Sequence, residues 1–102
     1  MAGRIDSHGD IETLFYGDSL AGVGDRVYLV FRAIDDPEPP IGVTIQSPNG
    51  QKILDRVLRE LPTGLPQSAP PVEFVPLAKG LYQIEVKELK GPQRGTAVLR
   101  VG

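Results

Sequence analysis

His8 is the only histidine in a chain of 102 residues that has no cysteine. Few groups are therefore available to act as a nucleophile, a general base or a soft metal ligand. A serine–histidine–aspartate triad or a histidine-based metal site needs partners held by rigid elements. His8 stands between Ser7 and Gly9 in a polar stretch, with no second histidine, and reads as a solvated tail residue. Ser7, Ser19, Ser47 and Ser68 lack the strand–turn–helix context that exposes a nucleophilic serine. Gly17, Gly22 and Gly24 form a glycine-rich run, but no Gly-Lys-Ser/Thr follows it, so it is not read as a phosphate loop. Carboxylates are more plentiful. Asp35, Asp36 and Glu38 share one short stretch, and Asp18 and Asp25 could assist if their loop lies close by. Calcium takes carboxylate oxygens from loops of this kind. The spacing matches no calcium motif, however, and a solvated acidic loop is the simpler reading. The expectation is a chain that is not an enzyme, with no cofactor and no metal.

Charge narrows the partners. The formal net charge is −2, and Lys and Arg are scattered rather than gathered in a stripe. Nucleic-acid binding needs a row of cations facing the phosphates, so it is not expected. No apolar run approaches the length of a membrane-spanning helix, and residues 1–10 have no apolar signal-peptide core. No membrane association is expected. The residues suit a cytoplasmic or virion-associated chain, a mature form or an excised domain equally well.

The elements that must position any site read as strands. Gly (12) and Pro (10) are spread between apolar runs, which marks many turns and many short elements. Residues 1–10 read as a flexible lead-in and 11–102 as one domain. Strands are expected at 11–16, 26–34, 41–47, 72–77, 80–89 and 96–101. In 26–34, Val27, Leu29, Phe31 and Ala33 share one face, while Tyr28, Val30, Arg32 and Ile34 share the other. That second face is too apolar for open solvent. Either it is covered, or it meets a partner. The stretch 51–61 admits two readings. Ile53, Leu54, Val57, Leu58 and Leu61 follow helical spacing, yet the segment comes directly after the Pro48-Asn49-Gly50 turn that ends a strand. The strand reading is preferred. Asp35 to Pro40 and Pro62 to Pro71 are proline-rich loops.

Seven strands at this spacing predict an all-β fold, a seven-stranded immunoglobulin-like antiparallel β-sandwich, with a closed barrel as the alternative. Three local patterns support the sandwich by resemblance. Gly24-Asp25-Arg26-Val27, Val43-Thr44-Ile45-Gln46-Ser47-Pro48-Asn49-Gly50 and Leu77-Ala78-Lys79-Gly80-Leu81-Tyr82-Gln83-Ile84-Glu85-Val86 resemble segments of bacterial and phage immunoglobulin-like and macroglobulin-type modules. The third also resembles a tyrosine corner, in which Tyr82 would pin the preceding loop through its hydroxyl. No Cys-Trp-Cys set and no thioester motif is present, so neither antibody-type nor complement-type features carry over.

The expected job is a non-catalytic protein–protein interaction module, its partner another protein or a copy of itself. The candidate contacts are Tyr28, Val30, Ile34, Asp35, Asp36 and Pro39. Rigid proline loops lose little entropy on binding, which suits recognition. A structural subunit or decoration module of a phage virion, tail or filament is the alternative, using edge strands or the N-terminal arm. A carbohydrate-binding module is third, with Tyr16 and Tyr28 as the stacking residues.

Overall fold

The computed structural model describes residues 4–102, which form two antiparallel sheets and no helix. The strands are β1 (Arg4–Gly9), β2 (Ile11–Phe15), β3 (Val27–Ala33), β4 (Ile41–Gln46), β5 (Lys52–Leu58), β6 (Val72–Phe74), β7 (Gly80–Glu88) and β8 (Arg94–Val101). The larger sheet has the order β1-β8-β7-β4-β5 and the smaller the order β2-β3-β6.

Period-two alternation explains why these segments pair as they do. In β8, Gly95, Ala97, Leu99 and Val101 are buried while Arg94, Thr96, Val98 and Arg100 are exposed. Tyr82, Ile84 and Val86 turn inward from β7, and Ile41, Val43 and Ile45 from β4. Across from them the smaller sheet contributes Ile11, Val27, Leu29, Phe31, Val72 and Phe74. A strand that buries every second residue has one register that keeps its apolar set inside, so pairing is strongly specified.

The stretch 51–61 resolves as β5. Its partner β4 holds Leu58, Arg56 and Leu54 opposite Ile41, Val43 and Ile45. A free edge on a formed sheet outweighs helical spacing in a segment this short, because short isolated helices are marginal in water.

Eight strands form, one more than expected. The added one is β1, which replaces most of the expected flexible lead-in; residues 1–3 of that segment lie outside the described residues. β1 pairs with β8 from Arg4↔Arg100 to Gly9↔Gly95. Main-chain pairing carries it, and only Ile5 packs against the core, so it has no apolar alternation to betray it. The chain then folds back on itself. Ser7 Oγ accepts the Thr13 amide proton at 2.9 Å, although six residues of extended chain would span roughly 20 Å. The turn has two tight spots. Gly9 takes φ +107°, and a β-carbon on Gly95 would stand 1.8 Å from the Ile11 carbonyl oxygen. Only glycine allows β2 to cross β8 that closely.

The proline-rich stretch after β5 is not a free loop. Leu61 enters the core, and Pro62 O accepts the Phe31 amide proton at 2.8 Å, extending the smaller sheet beyond β6. Gly64 then lies over the outer face of that sheet, where a β-carbon would be 3.7 Å from Val30 Cγ1.

Candidate functional site

Two regions collect the groups that sequence reasoning singled out, and they lie at opposite ends of β3. The first is the loop 34–40 after β3. It meets the turn 89–93, because the register Ile41↔Glu88 brings the start of β4 beside the end of β7. Glu88 ties the two together. Its carboxylate is buried and accepts the Glu38 amide proton at 2.9 Å and the Gln93 amide proton at 2.8 Å. Leu89 N donates to Pro40 O at 3.0 Å. Ile34, 99% exposed, stands at the start of this braced loop. Asp35, Asp36 and Pro39 are exposed beside it.

The second region is the loop 16–26 that precedes β3. Ser19 organises it. The buried Ser19 Oγ accepts the Tyr28 amide proton at 3.1 Å and lies within donating distance of Tyr16 O (2.9 Å) and Tyr28 O (3.1 Å). Asp25 Oδ2 accepts the Gly22 amide proton at 3.1 Å, and Gly24 N donates to Pro76 O at 2.9 Å. The glycine-rich run thus closes on its own side chains and on a neighbouring loop. A mainly apolar concavity of about 520 Å³ opens beside it, lined by Tyr16, Leu20, Tyr28 and Pro71 with Asp18 and Arg26 at its border. A larger groove of about 680 Å³ runs between the edges β5 and β6, with Leu54, Arg56, Phe74 and Leu77 along it.

These positions separate several candidates. Tyr28 lies at the Ser19 end, whereas Ile34, Asp35, Asp36 and Pro39 lie at the Glu88 end. Val30 stands between them, 6% exposed under Gly64, and is not free for a partner. The apolar outer face of β3 is therefore covered in part by the chain's own 61–71 segment. Asp18 and Asp25 are divided from Asp35, Asp36 and Glu38 by the whole of β3, seven residues or roughly 20 Å. They do not assist a calcium site there. Among the described residues, no group of three or more His, Cys, Asp or Glu side chains is arranged to hold a metal ion.

His8 is not on a tail. It sits on the outer face of β1, exposed, opposite Thr96. Ser7 and Ser68 hold backbone, Ser7 taking the Thr13 amide and Ser68 Oγ the Thr63 amide at 3.2 Å within its own loop, while the Ser47 hydroxyl bonds the Asn49 side chain. Tyr82 is 1% exposed, and its hydroxyl donates to Ala78 O at 2.8 Å and accepts from Ala78 N at 3.2 Å. Its role is to anchor the loop before β7.

Sequence reasoning passed over Glu88, and it weighed Ser19 only as a nucleophile. Both are polar residues in unremarkable positions along the chain. Their importance comes from the backbone amides that the fold turns toward them.

No family model, curated protein or solved structure matches the chain.

Proposed function

We propose that the chain is a non-catalytic protein-interaction module built on an immunoglobulin-like sandwich. The fold reading rests on connectivity. Strands β2 to β8 divide into β2-β3-β6 and β8-β7-β4-β5, and the chain changes sheet between β3 and β4, β5 and β6, and β6 and β7. Crossing between sheets in this way is the habit of Greek-key sandwiches. Tyr82, near the start of the penultimate strand and anchored to Ala78 in the loop before it, is consistent with it.

The observation that carries the functional reading is the braced end. Loop 34–40 is fixed to turn 89–93 through Glu88, and it presents a fully exposed Ile34 among Asp35, Asp36 and Pro39. A rigid loop with an exposed apolar residue at its start and charged residues beside it gives up little entropy on docking. Tyr28, at the far end, belongs to a different surface.

The test compares affinity capture by the wild-type chain with capture by Ile34→Asp and by Tyr28→Ala. Ile34 makes no buried contact, so the first variant folds like the wild type, within about 0.5 kcal/mol. A protein lost with Ile34→Asp and kept with Tyr28→Ala supports the braced end. A protein bound equally by Ile34→Asp overturns it.

A structural-subunit reading has its own support in the open edges of the larger sheet, β1 and β5. The sugar-binding reading has only the Tyr16–Tyr28 concavity, and a glycan screen without a hit removes it.

A further inference from the structure

The two open edges of the larger sheet differ in what they allow. A copy of the same chain can extend this sheet with its cores on the same face only if paired residues point to the same side. For a strand meeting its own copy about a two-fold axis, the pairing is then centred on a residue.

For β5 every central register brings like charges together. Centring on Asp55 sets that carboxylate against its own copy, and centring on Arg56 does the same with two guanidinium groups. Centring on Leu54 sets Lys52 opposite Arg56. Arg56 also points inward, opposite Val43. Inward charges and like-charge registers are the usual means of keeping an edge from pairing.

The charges along β1 run the other way. The outer face of β1 reads Arg4, Asp6, His8; Asp10 follows in register just past the strand, where its Oδ2 accepts the Arg94 amide proton at 3.3 Å. Antiparallel pairing centred on Ser7 sets Arg4 opposite Asp10, Asp6 opposite His8, and the same two pairs again by symmetry. Inside, Ile5 meets Gly9, so no side chains collide. The backbone is available as well. Asp10 N donates to Arg94 O at 2.8 Å, continuing the β1–β8 register one residue past the strand. In an antiparallel ladder the bonded positions alternate. The even residues of β1 therefore bond β8, and the N–H and C=O groups of Ile5, Ser7 and Gly9 point to the open edge.

We propose that the open edge of β1 pairs antiparallel with β1 of a second copy, about a two-fold axis at Ser7, joining two five-stranded sheets into one. The interface is self-complementary, as a two-fold dimer requires. It uses a sheet edge rather than the braced loop and does not depend on that reading.

Light scattering on the purified chain alone tests it, from micromolar to about 1 mM. The expected result is a shift with concentration from the 11.0 kDa monomer toward twice that mass. Asp6→Arg removes the carboxylate that faces His8 and puts a cation there, at two symmetric places, so dimerisation weakens by roughly tenfold or more. The double variant Asp6→Arg/His8→Asp sets opposite charges across the axis and returns the dimer. Asp55→Lys on β5 leaves the dimer constant unchanged. Circular dichroism confirms that each variant is folded. A monomer at every concentration overturns the proposal. So does a dimer that Asp6→Arg leaves intact, or one lost in the single variant and not regained in the double.

Discussion

The carboxylate of Glu88 accepts the amide proton of Glu38 at 2.9 Å across fifty residues of sequence. Its other oxygen accepts the amide proton of Gln93 at 2.8 Å. One side chain at the end of β7 thus serves both the loop after β3 and the turn before β8. A buried carboxylate is tolerated when backbone donors satisfy it, and charge-assisted bonds of this kind are stronger than neutral ones. Gly91 makes room for it, since a β-carbon there would stand 2.7 Å from the carboxylate.

Removing that brace should unfasten both loops at once. Glu88→Ala leaves two amides without an acceptor and is expected to cost about 1–3 kcal/mol. Glu88→Gln keeps one acceptor and should cost less. Urea midpoints of the two variants give the order. Amide hydrogen exchange at Glu38 and Gln93 should quicken together in Glu88→Ala. If only Gln93 quickens, the loop 34–40 is held by something else.

Tyr82 separates packing from hydrogen bonding. Tyr82→Phe keeps the buried ring beside Phe74, 5.9 Å between centroids, and loses both bonds to Ala78. The expected cost is about 0.5–1.5 kcal/mol. Tyr82→Ala empties a large core position and should cost about 3–5 kcal/mol. Equal denaturation midpoints for wild type and Tyr82→Phe would show that the hydroxyl contributes nothing.

Gly95 tests the crossing of β2 over β8. A methyl group at 1.8 Å from the Ile11 carbonyl cannot be absorbed by a side-chain rotation, because the obstacle is backbone. Gly95→Ala is expected to destabilise by about 3 kcal/mol, the upper end for overpacking. Gly50→Ala meets nothing within 4 Å and carries only the strain of φ +85°, so it should cost about 1 kcal/mol. Thermal melts of the two variants side by side check the ranking.

Six of the eight strands could be read from their own apolar alternation, and β5 only from the Pro48-Asn49-Gly50 turn before it, since its apolar residues follow helical spacing and none is fully buried. β1 could not. Its stability comes from main-chain bonds to β8, and any residues of suitable shape can make those. The same reasoning applies to the site residues. Tyr82 was legible because a tyrosine after a glycine, ahead of an alternating run, has few other uses in a sandwich. Glu88 was not, since an alternating strand with a glutamate at its end looks the same whether that carboxylate is solvated or capping two loops.

The sequence by itself determined that this is an all-β chain, with one histidine and no cysteine, and with proline-rich loops between its strands. Those properties follow from residue types and local periods. Tertiary structure alone decided that the proline-rich 61–71 segment covers Val30, that Ile34 and Tyr28 belong to opposite ends, and that residues 4–9 form an edge strand. Each depends on which distant backbone groups meet, and local periodicity carries no record of that.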